Sequence, residues 1–165
     1  ERLDEASPSS EKIEKTKISV LRGANLDAFP EVVASYSMVV TYNGGRFDLP
    51  FIRRHFGIAM DMPHLDVMRP LRAHGYKGGL KLCERLLGVK RQVPEDVDGF
   101  EAVRLWQAHR RGDRVALAKL LAYNSQDVLS LELLAIKAYN LSMRGHPLFG
   151  DVALPRQPRL EWPTG

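Results

Sequence analysis

Cysteine occurs once in the 165-residue sequence, at Cys83. A lone thiol excludes an internal disulfide and a cysteine-based zinc site, and it fits a reducing compartment, so a cytoplasmic protein is expected. No apolar run approaches the roughly 18–20 residues that a membrane-spanning helix requires, so no membrane partner is expected. The segment from Glu1 to Lys17 is charged throughout, unlike a signal peptide. No internal repeat is visible at any period, which excludes a repeat architecture. What remains is ordinary globular material, 44% hydrophobic and 27% charged, of a length that fits one domain.

The net charge of +4 is unevenly placed. Residues 53–91 hold nine basic side chains (Arg53, Arg54, Arg69, Arg72, Lys77, Lys81, Arg85, Lys90, Arg91) against Asp61, Asp66 and Glu84, a local charge of +6. Such a concentration attracts a polyanion and releases counterions when one binds. The bland alternative is a solvated helix face with basic side chains lying over apolar neighbours.

Residues 1–16 carry Pro8, Ser9, Ser10 and alternating charges with little apolar content, and read as an arm or linker. A short β-like run follows at 17–21, then an amphipathic segment with Leu26, Phe29, Val32 and Val33 at helical spacings. Ser37–Tyr42 is the strongest strand pattern, ended by Asn43-Gly44-Gly45. A helix is expected from Leu49 to Phe56, with Pro50 in its first turn and Gly57 at its end, and a strand at 64–67. The second half reads as helical: 80–87 stopped by Gly88, about 100–111 capped by Asp98 or Gly99, and 114 to about 141 capped by Asp113. A bend is expected near Tyr123–Ser125, where Asn and Ser compete for backbone hydrogen bonds. Trp106 falls in an amphipathic pattern and is expected in the core. Four of the ten prolines lie in 145–165, which reads as an extended tail. Strands interleaved with helices indicate an α/β domain over 17–144.

Two places could carry chemistry. Asp48 stands where a buried strand gives way to a helix, the edge at which α/β sheets bind ligands; an Asp before Leu-Pro is also an ordinary helix cap. Tyr123 and Asp127, four apart in a helical pattern, share one face about 6 Å apart along the axis. A carboxylate there can hold a hard divalent cation while the phenol orients a water. The pair is equally compatible with a half-buried aromatic beside a solvated acid. The histidines at 55, 74, 109 and 146 show no metal-ligand spacing and receive no role.

An N-x(4)-D at a strand end and a Y-x(3)-D on a late helix, about 80 residues apart, resemble the second and third motifs of the DEDDy 3′→5′ exonucleases. These belong to the DnaQ-like branch of the ribonuclease H-like superfamily. The flanking text sharpens the likeness: T-Y-N-G-G-R-F-D-L-P-F-I at 41–52, H-L-D at 64–66, G-Y-K-G-G-L-K at 75–81, G-F-E-A-V-R-L-W at 99–106 and L-L-A-Y-N-S-Q-D-V-L-S-L at 120–131. The chain is most similar to YprB-type ribonuclease H-like domains, from about Lys17 to Leu141. The resemblance implies a mixed sheet flanked by helices and a two-metal phosphodiesterase using Mg²⁺ or Mn²⁺ on 3′ ends of single-stranded DNA or RNA. Carried over, Asp48 and Asp127 are metal ligands, Tyr123 orients the attacking water, and Asn43 and Phe47 shape the pocket for the terminal nucleotide. Asp66 matches a position outside the metal set, either structural or catalytic. Gly78-Gly79-Leu80-Lys81 could offer amides to a phosphate, and Arg72, Lys77 and Lys81 could line the strand path.

The family's first motif, D-x-E on an apolar strand, has no match here. Asp4-Glu5 is the only upstream acid pair, and adjacent strand residues point to opposite faces. Residues 17–23 resemble the family's third strand, so the first two strands are expected to be missing from this chain. Three accounts stay open: a fragment of a longer product, a hairpin supplied by another copy through strand exchange in a homo-oligomer, or a degenerate domain kept as a catalytically inactive binding scaffold.

Overall fold

The β-branched run ending at Tyr42 forms strand β1 (Val39–Thr41), which pairs in parallel with β2 (His64–Asp66) in the register Val39 to His64, Val40 to Leu65 and Thr41 to Asp66. Parallel strands need a crossover, and helix α2 (Asp48–Phe56) supplies it. Gly57, at φ +65°, ends α2 by donating its N–H to the Arg53 carbonyl at 2.9 Å, a left-handed conformation that glycine adopts at little cost. The computed structural model describes residues 23–94, 99–160 and 163. The expected arm at 1–16 and strand at 17–21 lie outside the described residues.

Upstream of β1, a 3-10 turn (Gly23–Ala28) leads into the short helix α1 (Phe29–Ala34), in line with the amphipathic spacing. After β2 the chain makes α3 (Met68–Ala73), an element with no sequence expectation, since six residues are too few to display a period. Helix α4 (Leu80–Leu86) follows and stops before Gly88, then α5 (Gly99–Arg110) and the 30-residue α6 (Arg114–Met143). Asp113 caps α6 as expected, its carboxylate accepting from the Ala116 N–H at 3.0 Å.

Helix α6 runs without interruption through Tyr123–Ser125, where a bend was expected. Burial of the flanking side chains outweighs local competition there: Tyr123 and Gln126 point inward, while Asn124 is exposed to water. The buried Gln126 accepts from the Gln92 N–H at 2.7 Å and donates to the Ser130 hydroxyl at 3.0 Å. Trp106 is likewise not in the core. It is 48% exposed, tilted against His109 at 5.5 Å, because α5 meets α6 along a different line of its surface.

The core lies where the second half of α6 meets the β-α-β unit. Val67, Leu71, Cys83 and Val89 pack against Leu134 and Ala138, with Val40, Tyr42 and Leu65 around them. The Tyr42 hydroxyl donates to the Gly78 carbonyl at 2.7 Å and sits 3.1 Å from the Cys83 sulfur. Burial, with the neighbouring thiol, pushes this phenol well above its ordinary range, so it remains a neutral donor. The segment after α6 is irregular, as its prolines suggest, but it is bonded back. Asn140 exchanges two hydrogen bonds with Val152, and Gln92 bonds to Pro158 and Leu160.

Leu134→Ala removes a fully buried side chain at the centre of this core and is expected to cost about 2–5 kcal/mol in urea unfolding. Val128→Ala, on the exposed side of the same helix, is expected to change stability by no more than about 0.5 kcal/mol.

Candidate functional site

The turn after β1 is shaped by the strand beside it. Asp66, buried on β2, accepts from the Asn43 N–H at 2.7 Å and from the Met68 N–H at 3.3 Å. Asn43 is held at φ +62°, a left-handed conformation that Asn tolerates better than most residues. Gly44 follows with its N–H on the Thr41 hydroxyl at 3.1 Å, so close that a Cβ would stand 2.5 Å from that side chain. Its carbonyl accepts from the Leu49 N–H at 2.9 Å, which starts α2. Asp66 thus makes the hydrogen bonds that the structural one of its two expected roles implies.

This turn delivers Phe47 and Asp48. Phe47 is the residue preceding α2 and is 68% exposed. Asp48 is the first helical residue, not the side-chain cap that its sequence position suggested; no side chain caps α2. Its carboxylate is exposed and has no ion-pair partner among the described residues. The Asn43 side-chain oxygen is buried without a hydrogen-bond partner.

On α6, the one-turn spacing brings Tyr123 and Asp127 to the same face, and the chain supplies cations above them. The Arg91 guanidinium bonds to Asp127 at 2.6 Å and to the buried Glu84 of α4 at 2.6 Å. Its Cζ lies 5.5 Å from the Tyr123 ring centroid and the Lys81 Nζ lies 5.2 Å from it, both within cation–π range. Burial opposes the Arg91 charge, but hydrogen bonds to Asp127 and Glu84 outweigh it and raise its pKa further. Burial, then the Asp127 charge, raises the Tyr123 phenol, which stays neutral. Lys81, Arg85, Lys90 and Arg91, with Glu84, line a groove of about 670 Å³, so that Lys81 and Arg91 connect it to the Tyr123 ring. Arg72 and Lys77 are exposed on the segment leading to it.

Among the described residues no group of three or more His, Cys, Asp or Glu side chains stands close enough to hold a metal ion. Asp127 contributes one carboxylate, already neutralised by Arg91. The described residues therefore do not by themselves complete a two-metal centre, which needs several oxygen donors.

Glu84 and Arg91 are the residues that sequence reasoning missed in their true role. Both belong to the +6 segment, where charge alone suggests a solvated surface, yet their side chains are 1% and 7% exposed. A lone acid at 84 among bases, on the same face of α4 as the apolar Leu80 and Cys83, was the available signal.

A family model described as the RNase H superfamily matches residues 10–139. No curated protein and no solved structure matches the chain. No helix among the described residues is long and apolar enough to cross a membrane.

Because the second Glu84 oxygen is buried with no partner, that carboxylate depends on Arg91. Arg91→Leu is expected to destabilise the fold by about 3–5 kcal/mol in urea unfolding, with Glu84→Leu in the same chain recovering most of the loss. Asp127→Asn, at a side chain 28% exposed, is expected to cost less than Arg91→Leu.

Proposed function

The chain belongs to the RNase H superfamily, typically nucleases, and from that premise we propose that it is a DEDDy-type domain that binds 3′ ends of single-stranded DNA or RNA and contributes to their 3′→5′ hydrolysis. The observation that carries this reading is the Tyr123–Asp127 pair on α6, with Lys81 and Arg91 over the Tyr123 ring and both of these cations also lining a groove rich in basic residues. Such a surface suits a phosphodiester backbone, with cations for the phosphates and a neutral phenol able to donate to a water or a phosphate oxygen. In this reading Asp48 and Asp127 are this chain's share of the carboxylates for Mg²⁺ or Mn²⁺, which supply charge neutralisation at the reacting phosphate when bound. Tyr123 orients the water, Asn43 and Phe47 receive the terminal nucleotide, and Arg72, Lys77 and Lys81 attract the strand. The exposure of Phe47 and the unpartnered acceptor on Asn43 support a ligand at that end.

A second reading, an inactive nucleic-acid-binding scaffold of the same fold, is favoured by one observation: Arg91 already satisfies Asp127. The two readings separate in a degradation assay on 3′-labelled single-stranded DNA and RNA with Mg²⁺ or Mn²⁺. The exonuclease releases label, and EDTA, Asp48→Asn or Asp127→Asn abolishes release while circular dichroism reports an intact fold. Strand binding without release identifies the scaffold. Label released equally with EDTA and by both variants removes the metal mechanism.

Charge reversal at Arg72, Lys77 and Lys81 is expected to weaken single-strand binding at all sequences. It should also flatten the slope of log K against log salt by roughly 0.7 for each phosphate that no longer pairs with a cation. Unchanged binding would remove this segment from the strand path.

A further inference from the structure

Helix α2 carries the aromatic rings of Phe51 and His55 on the side turned away from its packing face. Its inner face is Leu49, Ile52 and Phe56, with Phe56 stacked on Phe29 of α1 at 4.8 Å. Phe47, Phe51 and His55 follow one another at steps of four, each step turning about 40° around the axis, so the three form a strip on the outward face. Phe47 and Phe51 are 68% and 67% exposed, and His55 is exposed as well. The strip is ordered: Phe51 and His55 stack with rings 5.6 Å apart and 7° from parallel, and His55 meets Phe56 edge-on at 4.7 Å. Two outward phenylalanines on one short helix are apolar area that ordinary surfaces seldom present in a row.

The charge around the strip selects what covers it. Arg46 and Arg54 are exposed on the same segment and have no acidic partner among the described residues, so with the exposed Asp48 they leave the surroundings of the strip net positive. Arg54, seven residues after Phe47, lies on nearly the same line of the helix. An apolar protein surface would leave these guanidiniums facing it without counter-charges. A ligand with flat faces and regular negative charges satisfies both groups, because bases stack on aromatic rings and phosphates pair with arginine.

We propose that Phe47, Phe51 and His55 form a base-stacking track for single-stranded nucleic acid that runs along α2 from Asp48, with Arg46 and Arg54 on its phosphates. The proposal rests on the single-strand-binding reading above and extends it. It assigns Phe51 and His55 to the nucleotides beyond the terminal one, on a helix outside the groove beside α6.

The test is fluorescence anisotropy with labelled oligothymidylate and with an abasic oligomer of equal length, both in EDTA so that hydrolysis plays no part. Wild type is expected to bind thymidylate more tightly than the abasic strand. Phe51→Ala should weaken thymidylate binding by about 5- to 150-fold, the usual range for losing one stacked base, and leave abasic binding unchanged. Phe51→Tyr should restore tight binding, and His55→Ala should fall between. Phe51 is exposed, so these variants are expected to melt like wild type. Equal thymidylate affinity for wild type and Phe51→Ala overturns the track. So does an equal loss on both strands, which marks a backbone effect, or a dimer-to-monomer change in sedimentation with binding unaltered, which marks a second copy of the chain as the true cover. A failed degradation assay beside an intact Phe51 effect would remove the exonuclease and leave the track.

Discussion

The guanidinium of Arg91 is the contact on which the candidate site is built. It reaches Glu84 on α4 and Asp127 on α6 from the segment that follows Gly88, so one side chain ties three parts of the chain together. A planar group with forked donors suits this better than an ammonium, since it meets two carboxylates at once in fixed geometry. Its position also sets the electrostatics of Tyr123, whose ring lies under Arg91 and Lys81 and whose hydroxyl stays neutral through burial and the nearby Asp127 charge. The +6 segment is therefore two things. Arg91 and Glu84 have side chains 7% and 1% exposed, whereas Arg85 and Lys90 are exposed where they line the groove.

The other end of the site depends on Asp66 in the same way. One buried carboxylate fixes the turn after β1, and through Gly44 and Leu49 that turn sets where α2 begins. Phe47 and Asp48 owe their positions to a neighbour 18 or more residues away in sequence. The α2 end and the α6 end are attached to one core, in which Val67 and Leu71 beyond β2 pack against Leu134 and Ala138.

Strong local signals were legible. A strand within 37–42, shortened in the structure to Val39–Thr41, the Gly57 and Gly88 stops, the Asp113 cap and the one-turn pairing of Tyr123 with Asp127 all follow from dihedral preference and period. What was not legible depended on tertiary partners. The expected bend at Tyr123–Ser125 does not interrupt the helix, because burial of Tyr123 and Gln126 decides the matter and Asn124 has water to bond to. Trp106 is exposed because amphipathic spacing tells which residues share a face, but not which of two apolar faces meets a neighbour. Glu84 and Arg91 were invisible as a pair for a similar reason. Seven residues apart across a helix end, they meet only after the chain turns at Gly88. The superfamily match agrees with the coarse likeness read from spaced motifs.

The length of α6 has a kinetic consequence. Its first half is joined to α5 through the turn at Gly112 and Asp113, so those two helices meet through contacts close in sequence. Its second half receives β1, α3 and α4, which come from 40 to 100 residues earlier. Short loops close faster than long ones, and the entropy of ordering the long ones must be met before their contacts reward it. The helical hairpin is thus suited to form first, and its free half to act as the template on which the parallel strands register. On such a route the basic groove and the Tyr123–Asp127 face are among the last features to mature, since Arg91 can bridge them only after α4 has docked.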